Sequence, residues 1–375
     1  MKHWLRNVWR LSWKELRSLA TDLPLMALIL FAFTAAVYTT AKGVKAEVSH
    51  ASVGIIDGDQ SALSHRLRDA LQPPYFQAPR DVTPQEASQA LDRGDFIFVI
   101  DIPPRFEADV LAGRSPAIQV TVDATAMTQA GLGAVYLNEI FLREQLDFFH
   151  QRGITSMLPA PPVVRLLFNP NNQSHWFTSV MLIVTNVTVL AIILVGAAVI
   201  REREHGTIEH LLVMPVRPSE IALAKILANG GVILLAVWLS LELVIRGWLQ
   251  VPIAGSVPLF MLGTALYLFA VTALGILLAT TASSMPQFGL LAAPVYVVLY
   301  LLSGAATPVE SMPELMQHIV QVSPTTQFVK LTQAVLYRDA DLALVLPQLL
   351  AVSAAGALFL VIALTRFRSM LARQG

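Results

Sequence analysis

The chain has 375 residues, is 55% hydrophobic and only 14% charged, and has a mean hydropathy of +0.59. A soluble domain carries about a quarter charged residues, so this composition points to a lipid solvent. Equal counts of basic and acidic residues, 26 of each, remove the electrostatic footprint of a nucleic-acid binder, and the lack of cysteine excludes disulfides, thiolate metal sites, cysteine nucleophiles and cysteine-borne lipid anchors.

Residues 1–22 read as a cytoplasmic amphipathic helix. Arg6, Arg10, Lys14 and Arg17 recur at helical steps on one face, and Trp4, Leu5, Val8, Leu11, Leu16 and Leu19 fill much of the rest. Two readings stay open: a helix in the inner headgroup plane facing anionic lipid, or a cytoplasmic extension of the first span. Residues 23–41 contain no Asp, Glu, Lys or Arg, and 19 residues approach the roughly 20 that cross a hydrocarbon core. The long basic segment before them, and the lack of a small-residue cleavage site after them, favour a retained span over a removed leader.

Residues 42–175 read as a soluble α/β domain. Apolar runs at 51–57, 96–102 and 117–123 predict strands, the first ended by Asp57-Gly58-Asp59 and the second by Pro103-Pro104. Helical patterns follow Ser61, cover 105–111, and run from Met127 to Gln151. Asp57, Asp59 and Asp123 end strands, but aspartate there is also ordinary turn chemistry, and no Ser/His/Asp or HExxH pattern accompanies them. The eight histidines show no metal-ligand spacing.

Further charge-poor intervals predict spans at 176–200, 226–245, 258–280, 286–306 and 342–365, with the fourth and fifth separated at Ser283-Ser284-Met285-Pro286. The expected fold is therefore an α-helical membrane protein of six transmembrane helices, with a periplasmic α/β domain inserted between helices 1 and 2. Between spans two and three lies the charged segment 201–225: a charged head, a glycine hinge at Gly206, an apolar turn Leu211–Met214, and stops at Pro215 and Pro218. Ser219 is placed to cap the third span. An apolar turn between charged flanks invites a partner groove. Glu242 and Arg246, four residues apart near the end of span three, are positioned to pair. Residues 307–341 carry a helical apolar stripe broken by prolines, too polar to cross, and 366–375 form a short tail.

Short loops on one side of these spans carry 12 Lys and Arg, and those on the other side carry 3. The positive-inside rule places both termini of this multi-pass membrane protein in the cytoplasm. Trp176 and Trp248 fall at outer boundaries and Trp13 near an inner one.

The loop resembles the E-R-E-x-G-T-x-E-x-L-L-x-x-P…E…K stretch of ABC-2 type (type V) transporter permease subunits. Glu202, Arg203, Glu204, Gly206, Thr207, Glu209, Leu211, Leu212, Pro215, Glu220 and Lys225 match it. A second stretch, Ser303-Gly304…Pro308…Met312-Pro313 followed by Ser323-Pro324, is similar to the family's block after the fifth span. The layout as a whole is similar to bacterial inner-membrane permeases of the multidrug-export branch.

This resemblance implies that two permease subunits, identical or related, pair around a pathway. It implies that Glu202, Arg203, Glu204, Gly206, Thr207, Glu209, His210, Leu211, Leu212, Met214 and Pro215 couple to a separate ABC ATPase, and that 307–341 (Pro308, Met312, Pro313, Pro324) forms re-entrant outer helices over the pathway. ATP and Mg would sit on the partner, because this chain has no G-x-x-x-x-G-K-[ST] phosphate loop and carries no cofactor of its own. A periplasmic adaptor and an outer-membrane channel are candidate partners, besides membrane lipid. The cargo expected is hydrophobic or amphipathic, drugs included, since the spans hold almost no charge. Competing readings are a secondary transporter, which would need repeated halves and mid-depth ion ligands, and a receptor or assembly protein that uses its outer domain.

Overall fold

The computed structural model describes residues 2–43, 50–92, 95–114, 116–122, 127–152, 173–204, 216–306, 309 and 312–372. The chain divides into two compact units, Val44–His175 and Met1–Gly43 with Trp176–Gly375.

In the first unit the sheet order is β2-β1-β3-β4, formed by β1 (Val53–Asp57), β2 (Arg80–Asp81), β3 (Phe98–Ile102) and β4 (Gln119–Val122). β1 pairs in parallel with β2 and with β3, whereas β4 runs antiparallel to β3. Val53, Ile55, Phe98, Ile100 and Ile102 form a core with Leu63 and Leu67 of α4 (Ala62–Asp69) and Leu137, Phe141 and Phe148 of α7 (Met127–Gln151). Val99, on the other face of the sheet, packs with Ala87 and Ala90 of α5 (Pro84–Asp92). The period-2 alternation of strands is thus used on both faces.

Asp57 and Asp59 are both used in the turn after β1. Asp57 Oδ1 accepts the backbone N–H groups of Asp59 and Gln60 at 3.0 and 2.8 Å, and its Oδ2 accepts the Ser64 hydroxyl at 2.8 Å. Ser61 caps α4. Asp59 accepts the Glu107 N–H at 2.9 Å, at the start of α6 (Phe106–Leu111). Burial would raise the Asp59 pKa, but the hydrogen bonds from Ser61 and from the backbone of residues 105–107 outweigh it and hold the carboxyl below its usual range. Asp123 lies outside the described residues.

The second unit is a helix bundle. It begins with α1 (Lys2–Thr21), α2 (Leu23–Phe33) and α3 (Ala35–Gly43), followed by α8 (Ser174–Glu204) and α9 (Pro218–Leu239), which continues as a π-helical segment Ser240–Trp248. It is completed by α10 (Val257–Thr281), α11 (Met285–Leu301), α12 (Glu314–Val320), α13 (Pro324–Arg338) and α14 (Leu342–Ala372). Five stretches among the described residues are long and apolar enough to cross a membrane: Leu23–Gly43, Ser174–Glu204, Pro218–Trp248, Val257–Thr281 and Leu342–Arg366. α11 is apolar but shorter. The first stretch is broken at Thr34, and the Asn186 side chain of α8 donates to the Ala32 carbonyl beside the break. A helix broken in lipid needs such a partner for its freed backbone groups.

Helix α11 stops at Leu301, short of the span end expected at 306. Gly304 takes a positive φ of 87°, and the Leu302 carbonyl is taken by the Thr326 hydroxyl at 3.2 Å. Seventeen residues rise about 25 Å, so α11 ends within the bundle. α13 begins at the same depth, because Thr325 meets Tyr267, ten residues or about 15 Å along α10. Tyr267 is fully buried. Its hydroxyl bonds Thr188 of α8 at 2.7 Å and Thr325 at 3.0 Å, and its ring stacks on Phe328 with centroids 4.2 Å apart. From there α13 climbs alongside α10 until the Ala254 N–H donates to the Leu336 carbonyl.

Small residues bring the bundle helices close, as membrane interfaces require. Gly275 lies against the Ile192 backbone, and Gly356 against Phe269 and Ala270. The tightest approach is at Gly255, where an added Cβ would sit 1.8 Å from the Val335 carbonyl oxygen. Backbone cannot swing aside as a side chain can, so Gly255→Ala is expected to cost about 3 kcal/mol or more. Thermal unfolding of the purified protein in detergent should show a midpoint lowered by roughly 6–12 °C; an unchanged midpoint would show that the α10–α13 junction can yield.

Candidate functional site at the charged helix ends

The residues Glu202, Arg203 and Glu204 form the last turn of α8, and each reaches a different element. Glu202 Oε2 lies 2.9 Å from the Lys225 ammonium on α9, and its Oε1 lies 3.6 Å from Lys14 on α1. Arg203 Nη1 donates to the Ala282 carbonyl, just past the end of α10, at 2.7 Å. Glu204 Oε1 accepts the Met285 N–H, the first of α11, at 2.9 Å. The arginine thus serves a helix C-terminus and the acid a helix N-terminus, each charge matched to the dipole end it meets. Preceding them, Arg201 pairs with Asp22 at 3.0 Å, and Asp22 in turn caps α2 through the Leu25 N–H.

At the centre is Lys225, whose side chain is 2% exposed. Glu15 of α1 approaches it to 3.2 Å. Glu15 and Glu202 are 14% and 15% exposed. Burial pushes the Glu15 carboxyl above its usual range; Lys225 beside it pulls the other way, Glu202 pushes it up again, and burial wins. A cavity of about 140 Å³ adjoins the cluster, lined by Lys14, Glu15, Ser18, Asp22, Arg201 and Asn229 among others. It has room and polar partners for several waters.

α1 is held along the first turns of α9. Besides Glu15–Lys225, the Ser12 hydroxyl donates to the Ala224 carbonyl at 3.4 Å, and Asn7 donates to Glu220 Oε2 at 3.5 Å. Glu220 also accepts the Arg217 N–H at 2.8 Å, so the cap of α9 is Arg217, with Pro218 as the first helical residue. The expected cap, Ser219, lies inside the helix because proline is favoured at its first position.

Of the expected coupling residues, Glu202 is therefore brought against Lys225, while Arg203 and Glu204 reach the turn between α10 and α11, and Glu220 meets Asn7 and the Arg217 N–H. Gly206, Thr207, Glu209, His210, Leu211, Leu212, Met214 and Pro215 lie outside the described residues, as does Pro308. At the other end of the bundle, Met312 accepts a hydrogen bond from Gln317, Pro313 caps α12, and Pro324 opens α13, where it is buried. Glu242 and Arg246 do pair, both carboxylate oxygens lying 2.9 Å from Nη1, but within the π-helical segment. Among the described residues no group of three or more His, Asp or Glu could hold a metal ion. Sequence reasoning missed Glu15. The signal was its isolation, as the single acid of a helix otherwise rich in base.

A family model described as "ABC-2 family transporter protein" matches residues 23–365. The chain belongs to the ABC-2 transporter family. It is 49% identical to the "Inner membrane transport permease YhhJ" of Escherichia coli K12 over 368 residues, 98% of each chain. It is 27% identical to the "Probable multidrug ABC transporter permease YbhR" of the same strain, over 90% of this chain and 92% of that one. Identity to the "Probable multidrug ABC transporter permease YbhS" is 26% over 88% of both. With its several apolar helices, this ABC-2 family member is a multi-pass inner-membrane protein and a transport subunit rather than an enzyme. Membership implies an ABC ATPase partner and a second permease subunit.

Proposed function

We propose that this ABC-2 permease is the membrane subunit of an ATP-driven exporter, with both termini cytoplasmic and the α/β unit periplasmic. Its residues 205–215 would then be the part gripped by the ATPase. The observation that carries this reading is the last turn of α8. Three consecutive charged residues tie the start of that loop to α1, to α9, and to the turn between α10 and α11. A displacement imposed on the loop is thereby shared among four helices. α11, ending within the bundle against α13, would be the sixth crossing, with α12 and α13 re-entrant from the outer side. Non-helical backbone at that depth is tolerated because protein covers it. Hydrophobic or amphipathic compounds, drugs included, are the cargo such uncharged spans suit.

The test is recovery of an ATPase. From native membranes, the wild-type permease should co-purify with a chain bearing a phosphate-binding loop. Leu211→Asp should remove that partner while the permease stays inserted, because a buried apolar anchor would become a desolvated charge. Undiminished recovery with Leu211→Asp would place the ATPase contact elsewhere.

A further inference from the structure

Helix α1 has three sides. One side, centred on Val8, Leu19 and Glu15, lies against α9 and the charged cluster. At 100° per residue the remainder divides into two sectors. Leu5, Trp9 and Trp13, spaced four apart, form an apolar strip, and the two indoles are 71% and 61% exposed. Beside them Arg6, Arg10, Lys14 and Arg17 form an exposed basic strip. The one acid of the helix is turned inward to Lys225, so the outward charge is of one sign.

Exposed apolar residues within the spans are explained by lipid tails, but those of α1 are not. α1 precedes the first apolar stretch and is joined to it by Asp22 alone. That junction fixes where α1 can be: at the membrane surface that Leu23 enters. Two adjacent strips, one aromatic and one basic, match the two layers met there. Indoles prefer the boundary between acyl chains and headgroups, and cations collect where anionic headgroups set a negative potential.

We propose that the free sectors of α1 are a docking surface for anionic phospholipid, with Trp9 and Trp13 seated at the acyl boundary and Arg6, Arg10 and Arg17 on headgroup phosphates. Lys14 stands between this surface and the buried cluster, because it also approaches Glu202. The lipid bound along α1 therefore borders the charged helix ends. This inference needs only that Leu23–Gly43 lie in a membrane, and it stands whether or not residues 205–215 grip an ATPase.

Quenching of tryptophan fluorescence by brominated lipid tests it on the full-length chain in bilayer discs. Two sets of discs contain equal amounts of phosphatidylcholine and phosphatidylglycerol, with the bromine on the acyl chains of one or of the other. The brominated phosphatidylglycerol should quench more strongly, and the excess should vanish at high salt. Trp9→Phe with Trp13→Phe should remove the excess and leave the quenching of the other four tryptophans. Arg6→Gln, Arg10→Gln and Arg17→Gln together should also remove it, while the three arginine-to-lysine changes should keep it, which separates charge from fold. Equal quenching by the two lipids in the wild type overturns the proposal, as does an excess that survives loss of both indoles. If there is no excess, and the glutamine variant instead loses an associated ATPase, α1 is a protein-docking surface and the lipid assignment is wrong.

Discussion

Lys225→Met is expected to leave little folded permease in the membrane. The substitution conserves length and apolar stem but withdraws the cation that Glu15 and Glu202 share, and Lys14, 3.6 Å from Glu202, is mostly in solvent. Breaking a buried ion pair by deleting one partner typically costs about 3–5 kcal/mol, because the remaining charge is stranded. Here two carboxylates are stranded. Glu202→Gln should cost less, and Glu15→Gln least. The raised pKa of Glu15 accounts for its place in that ranking. An acid whose folded pKa lies above its unfolded one stabilises the fold most below the unfolded value and loses that contribution as pH rises through the folded value. Burial thus works against the charged carboxylate, and a neutral glutamine escapes that penalty while giving up the Lys225 contact, which leaves a small net cost. The triple change Lys225→Met, Glu202→Gln, Glu15→Gln should recover much of the loss. The measure is the yield and thermal midpoint of detergent-solubilised protein for the whole set. A Lys225→Met protein as stable as the wild type would mean that this cluster is solvated rather than buried.

The second large effect concerns motion rather than folding. Arg203→Gln combined with Glu204→Gln should insert normally and retain its ATPase, yet lose the response to ATP. The two side chains hold both flanks of the Ser283–Ser284 turn, one on the Ala282 carbonyl and one on the Met285 N–H. Hydrogen bonds to charged groups contribute about 1.5–3 kcal/mol each. An ATPase shifts its permease only through contacts that differ between two states, and each 1.4 kcal/mol of lost coupling is about a tenfold loss of response. Since the chain contains no cysteine, a single Val298→Cys on the exposed side of α11 is a clean reporter. Its thiol reactivity should change with ATP in the otherwise unmodified complex and stay constant in the double variant. An equal response in both would mean that the turn between α10 and α11 is not on the route.

Much of the local structure was legible because lipid and sheet impose simple patterns. Runs at 51–57, 96–102 and 117–123 carry the strands Val53–Asp57, Phe98–Ile102 and Gln119–Val122. The remaining strand, β2 (Arg80–Asp81), has only two residues and both are exposed, so it leaves no apolar signature. Ser61 reads as a cap and is one; Ser219 reads as a cap and is not, because Pro218 claims the first helical position and Glu220 reaches back to Arg217. The site was legible only in part. The charged turn 202–204 stands out in the sequence, but its partners at Glu15, Ala282 and Met285 are set by tertiary packing, which no local pattern encodes. The Tyr267 hydroxyl between Thr188 and Thr325 was hidden for the same reason.

The pairing of Glu15 with Lys225 also bears on biogenesis. The two residues are separated by 210 positions, and at 5–20 residues per second the ribosome needs about 10–40 s to deliver the second after the first. Throughout that interval α1 has been made but its clasp has not. A nascent chain arrested before Pro218 therefore carries a Glu15 without Lys225, and α1 waits at the membrane surface until α9 has been made.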